Sequence, residues 1–343
     1  MSTRRTSTAH PKTIAPLLLL LSSLFLALQP SGAQSLARLF VATSQGPYVS
    51  HSWGEYWETL RHRLRLSIRV WHCLGPKAFA GGPEGLFASD DFGESWRKVE
   101  TWEGGEVVSI LTSLYYPAEP VTFIGTRNGL YRSRTAGEEK WEHVAEDLIR
   151  GSVYAMNWPG PSLFVAASQG FFRTNDVGDN WERLGEGLPP VPVLSVTLSG
   201  YFGLEPIVFV GLEGAGVYRS RDGGEHFEPV GGSDWAQRRV PGIYWWGSSL
   251  FAGTDEGVFI SHDAGETWES ASEELEEENI LTLSISMPKA PGGSDVMVGT
   301  RRGVFKTSDG AMTWRHMTEG MDSAEIYGFG NFPFVPANTE TKK

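Results

Sequence analysis

The chain has 343 residues and a formal net charge of −12, with 41 acidic against 29 basic side chains. That balance argues against a nucleic-acid partner, because such binding needs a basic surface to displace counterions from phosphate. A single cysteine excludes an internal disulfide, and 13 Trp within an aromatic content of 12% fit a large β core.

Residues 1–33 read as a segment apart. Arg4, Arg5 and Lys12 precede an apolar run from Ile14 to Leu28, and Ser31-Gly-Ala33 offers small residues for cleavage. This is the layout of a secretory signal peptide, and the run is short for an ordinary membrane span. Its removal takes away three positive charges and no acids, leaving −15. Export to a periplasm, a lumen or the extracellular space is expected, with no membrane span in the processed chain.

From about residue 38 to 335 one pattern recurs seven times: Gly, apolar, aromatic, any, Ser/Thr, any, Asp, any, Gly, any, any, Trp. Gly85–Trp96 and Gly257–Trp268 are the clearest copies; the others start at Gly46, Gly129, Gly170, Gly216 and Gly303. Starts are 39 to 46 residues apart, a period that marks a propeller or solenoid. The third repeat shows the content of one unit. Val107–Tyr116, Val121–Thr126, Leu130–Ser133 and Lys140–Val144 are β-branched and aromatic runs bounded by Pro, Asn and Gly, hence four short strands. The expected fold is all-β: a seven-bladed β-propeller of four-stranded blades.

The Ser/Thr-x-Asp-x-Gly-x-x-Trp stretch is the hairpin between the third and fourth strands. Its Asp can accept the backbone N–H groups of its own turn, its Gly supplies positive φ, and its Trp is a large apolar plug. The Asp positions are Asp91, Asp176, Asp222, Asp263 and Asp309; the Trp positions are Trp57, Trp96, Trp141, Trp181, Trp268 and Trp314. Ser52 and Thr135 stand where Asp is expected, Phe227 replaces one Trp, and Ala311 replaces one Gly. Each Asp falls in its own blade at the outer edge, so the set is structural and neither a catalytic pair nor a metal site. No metal and no cofactor is expected.

Blade one lacks an inner strand. Glu325–Gly330, after the last repeat, resembles the inner strands Ser152–Asn157 and Gly242–Gly247, so the C-terminal strand is predicted to complete blade one and close the ring. Residues 336–343 are left as a disordered tail. Cys73, in an inner-strand candidate, reads as a buried apolar residue, with His72 pointing to the other side.

Loops between second and third strands differ from blade to blade, and a regular scaffold with dissimilar loops is a common way to build a binding surface. Arg61, Arg63 and Arg65 leave blade one, Arg301 and Arg302 tip blade seven, and Arg127 tips blade three. Together they are a candidate basic patch on this face. Glu213, Asp255 and Glu256 tip blades five and six, while Glu273–Glu278 reads as a solvated acidic loop. Tyr244, Trp245 and Trp246 are a candidate stacking platform for sugar or peptide.

The repeated turn resembles the Asp-box, or BNR repeat. Seven such blades behind a signal peptide resemble the photosystem II stability and assembly factor family over about residues 38–335. That resemblance implies a non-enzymatic propeller assisting assembly of a membrane complex, with a basic patch on one face. Sortilin-type receptors, sialidases and xyloglucan-degrading glycosidases are similar in using Asp-boxes. The expected function is a monomeric, exported binding scaffold for a protein, possible partners including a membrane-complex subunit. The alternative is a glycan-binding or glycoside-hydrolase-like propeller. No Arg-Ile-Pro motif, nucleophile elbow or facing carboxylate pair supports an enzyme.

Overall fold

Alternating apolar runs separated by tight Gly turns fold into seven four-stranded antiparallel sheets. The computed structural model describes residues 38–332 other than 61–66, 114–119, 138, 200–201, 272, 277 and 286–294. The expected signal peptide, the tail and the patch residues Arg61, Arg63 and Arg65 lie outside the described residues.

In blades 2 to 7 four strands follow one another in chain order from the centre outward. Blade 3, for example, runs through Val107–Thr112, Thr122–Thr126, Gly129–Ser133 and Glu142–Val144. Residues 114–116 of the run read from sequence lie outside the described residues. In every blade the outermost strand is two or three residues long, too short to template pairing with another chain. Blade 1 is completed as expected. Ile326–Phe332 pairs antiparallel with Arg38–Thr43, with Phe40 opposite Gly330 and Val41 opposite Phe329. Ser44 and Glu325 fasten the end of this pair, the Ser44 N–H donating to the Glu325 carbonyl at 2.9 Å.

The core is divided into seven clusters, one between each pair of adjacent blades. An aromatic near the start of the second strand is the recurring unit: Phe40, Phe79, Phe123, Phe164, Phe209 and Phe251 are all buried. Phe123 meets Trp158 and Trp181 edge-on at 5.6 and 6.3 Å, geometries that aromatic rings favour. Cys73 is half-buried, against the cluster between blades 1 and 2. Its neighbour His72 faces away and accepts the N–H of Thr112 at 3.2 Å. Burial lowers the His72 pKa to about 4, so this imidazole stays neutral.

The repeated turns share one hydrogen-bond plan. The Ser or Thr ending the third strand accepts the N–H four residues on, as from Gly93 to Ser89 at 2.9 Å and from Gly178 to Thr174 at 2.9 Å. The same hydroxyl donates to the Asp, as from Ser261 to Asp263 at 2.8 Å. The Asp then accepts both the backbone and the side chain of the residue four further on: Ser95, Asn180, His226, Thr267 and Thr313 in the five copies. Where Asp is missing, the hydroxyl oxygens take over part of its work. Ser52 accepts the Tyr56 N–H at 2.9 Å and Thr135 the Glu139 N–H at 3.1 Å.

Candidate functional site

The second-to-third-strand hairpins and the blade connections share one face, opposite the Asp-box turns. On it the exposed arginines stand in ion pairs. Arg127 binds Glu106, Arg302 binds Glu278, and Arg301 lies 3.6 Å from Glu325. Arg238 reaches Glu256 at 2.6 Å and Arg239 reaches Glu213 at 3.0 Å, while the Arg239 N–H donates to Asp255 at 3.1 Å. The acids of blades 5 and 6 therefore face arginines of the single connection between those two blades. The exposed pairs among these, Arg127–Glu106, Arg301–Glu325 and Arg239–Glu213, contribute about 0–1 kcal/mol each, so an incoming carboxylate could replace the internal partner there at little cost.

The inner strands line a central channel, which holds a cavity of about 360 Å³. Arg69 enters it at the loop-rich end. Its guanidinium lies 4.3 Å from the centre of the Tyr327 ring, and its Nε is buried with no hydrogen-bond partner among the described residues. The Tyr327 hydroxyl donates to Glu325 at 3.1 Å, and Glu325 is the carboxylate that faces Arg301. A single relay thus runs from the loop tip of blade 7 into the channel wall. Burial, then the bond to Glu325, raises the Tyr327 pKa, so its hydroxyl keeps its proton. Tyr244 lines the same cavity.

Tyr244, Trp245 and Trp246 do not share one surface. Alternation along the strand turns Trp245 to the face opposite Tyr244 and Trp246, and those two are separated by their positions along it. Tyr244 faces the channel, Trp245 packs against Phe209 at 5.3 Å, and Trp246 lies in a cleft between blades 6 and 7. Trp158, just after the inner strand Val153–Asn157, is buried between blades 3 and 4. The five Asp-box carboxylates stand apart, each within its own turn, and among the described residues no group of three or more His, Cys, Asp or Glu could hold a metal.

Arg69 and Glu325 were not singled out by the repeat. Both flank inner strands, where the copies agree only in being apolar, so nothing in the pattern marks a polar exception. A second set was legible but overlooked: Tyr131-Arg-Ser, Phe172-Arg-Thr, Tyr218-Arg-Ser and Phe305-Lys-Thr each place a basic residue just before the Asp-box hydroxyl.

Seven four-stranded blades joined by these turns define a seven-bladed Asp-box β-propeller. The BNR/Asp-box repeat model matches residues 259–270. No curated protein sequence matches the chain. Among solved structures, the extracellular domain of a one-component system from B. thetaiotaomicron is similar at a TM-score of 0.59 and 15% identity, over 87% of this chain and 36% of that one. An ancestral GH74 enzyme is similar at 0.59 and 18%, over 77% and 38%. The chain thus spans little more than a third of these two. YCF48 from Cyanidioschyzon merolae is similar at 0.58 and 14%, over 82% of this chain and 97% of that one. A YCF48 bound to D1 peptide is similar at 0.53 and 16%, over 73% and 81%. At these identities the likeness is one of fold.

Proposed function

We propose that this chain is an exported, non-enzymatic binding propeller that captures a protein segment at the loop-rich mouth of its channel. The observation that carries this reading is Arg69, a channel cation with one N–H unsatisfied, set beside a ring of exposed arginines whose ion pairs are weak. Similarity in fold to YCF48, one structure of which holds a D1 peptide, supports a protein ligand. The pattern of residues 1–33 and the likeness to an extracellular domain support export. A subunit of a membrane complex is the partner class proposed, with the propeller acting as a monomer.

A second reading, glycan binding, rests on Tyr244, which exposes 42% of its surface to the channel beside Asn157 and Tyr154. Its similarity to a GH74 enzyme points the same way.

Affinity capture from the native envelope fraction separates the two. The bait is the exported chain beside an Arg69→Gln/Arg301→Gln variant, which removes both cations without setting a new carboxylate against Glu325. A membrane-complex subunit held by the first and lost by the second, at equal thermal stability, is the expected result. Equal capture by both baits sinks the arginine site. Binding of soluble oligosaccharides with loss in Tyr244→Ala would instead favour the glycan reading.

A further inference from the structure

Among the described residues, a buried or half-buried cation crosses five of the seven blade junctions, donating to the carbonyl of the first left-handed residue of the next turn. Arg38 bonds Phe92 at 3.0 Å, Arg132 bonds Val177 at 2.7 Å, Arg173 bonds Gly223 at 3.4 Å, Arg219 bonds Ala264 at 2.9 Å, and Lys306 bonds Trp53 at 3.1 Å. Lys77 pairs instead with Asp90 of its own blade at 3.1 Å. Arg132, Arg173 and Arg219 follow a full plan. Each also binds a carboxylate on its own outer strand (Glu142, Glu182, Glu228) and one in the next turn (Asp179, Glu225, Glu266).

The junction between blades 6 and 7 breaks that plan. Ile260 stands at the arginine position, opposite Glu269, just as Arg219 is opposite Glu228. In the next turn Met312 stands where the others carry an acid, and Ala311 puts a methyl group where they have Gly. Among the described residues no cation crosses here, and none donates to the Gly310 carbonyl. An open cleft of about 740 Å³ takes the place of the clamp. Phe251, Ile260 and Ala311 line it, and the exposed rings and chains of Trp246 (40% exposed) and Met312 (81%) flank it. Glu269 remains at its edge, largely exposed, with His262 at 3.4 Å. Asp309, whose pKa is held at about 2, adds a second fixed negative charge.

We propose that this cleft is an arginine slot left open for a partner: it binds a peptide segment of another protein that carries an arginine flanked by apolar residues. The stem of that arginine would lie on Ile260 and Met312. Its guanidinium would reach Glu269 and the Gly310 carbonyl, as Arg219 reaches Glu228 and the Ala264 carbonyl one junction earlier, with the Trp246 ring as a cation–π face. Charge complementarity and the chain's own five junction cations select this occupant over an anionic one. The site lies on the Asp-box side, away from the channel mouth, and does not depend on the function proposed for that face.

The test is a titration with an acetylated seven-residue peptide holding one central Arg between leucines, beside its citrulline twin. The indole N–H signal of Trp246, assigned by its absence in Trp246→Phe, is followed by NMR. A saturable shift is expected with the arginine peptide, and binding about tenfold weaker with citrulline, the loss of a charge-assisted pair. Glu269→Gln should weaken binding about threefold, since this carboxylate is exposed. Ile260→Arg should abolish it by filling the slot from within. Equal affinity for the citrulline peptide, or a shift that never saturates, overturns the proposal. Should Ile260→Arg fail to fold, the citrulline comparison and Glu269→Gln decide alone; if it folds and still binds the peptide, the slot is refuted.

Discussion

At the scale of single residues, the turns are stabilised by acceptors that stay charged. The Asp176 pKa falls to about 2, chiefly through the backbone N–H and side-chain amide of Asn180. Asp263 and Asp309 also fall to about 2, led by the hydroxyls of Thr267 and Thr313. Each folded value lies below the ordinary 3.8, so the stabilisation is complete above about pH 4 and is lost as pH falls towards 2. The urea midpoint should drop across that window, and less steeply in the triple variant Asp176→Asn/Asp263→Asn/Asp309→Asn. An unchanged slope would show that other carboxylates govern acid unfolding. Gly93 tests the second demand of the turn. Its φ is +81°, and a Cβ there would lie 2.5 Å from Cζ of Phe40. Gly93→Ala should therefore cost about 2–3 kcal/mol by denaturant unfolding, from overpacking together with left-handed strain. Ala311 carries such a Cβ, at φ +73°, and it lines the cleft between blades 6 and 7.

At the scale of elements, neighbouring blades are joined by apolar clusters inside and by cations at the Asp-box end. Arg132 is buried, 6% exposed, and holds Glu142, Asp179 and the Val177 carbonyl together. Arg132→Met keeps the stem and removes the donors. It should destabilise by about 2 kcal/mol, less than a fully buried pair would lose, because both carboxylates can turn to solvent. A midpoint within error of the parent protein would show that the stem alone carries the junction. The same pattern of basic residues was present in the strand sequences. It was passed over because a strand position facing a neighbour is read as apolar, and only the packed blades show a carbonyl waiting across the junction.

At the scale of the whole molecule, the ring depends on its last strand. Ile326–Phe332 covers the inner edge of Arg38–Thr43 and packs Gly330 against Trp71, so closely that a Cβ on that glycine would lie 2.5 Å from the Trp71 Cβ. Ending the chain at Met321 should leave an open strand edge and an unfilled seventh junction. Light scattering should then report larger species than the parent chain gives. A truncated protein that stays monomeric with an unchanged melting point would refute closure as a source of stability.

The repeat alone determined the blade count, the strand order, the turn that links third and fourth strands, and the pairing of the two chain ends. Those features depend on local patterns, the period of two in a strand and the special conformations of Gly and Asp, which each copy of the motif spells out in full. What only the tertiary structure decided is which side chains from different blades meet. Glu325 is shared between Arg301 and Tyr327, Arg69 lies over Tyr327, and Tyr244 and Trp246 face different spaces although they are two residues apart. So too with the arginines of the loop-rich face, whose carboxylate partners come from as far as 26 residues away in the chain. Pairings of that kind arise from the curvature of the ring, and no spacing within a repeat encodes them.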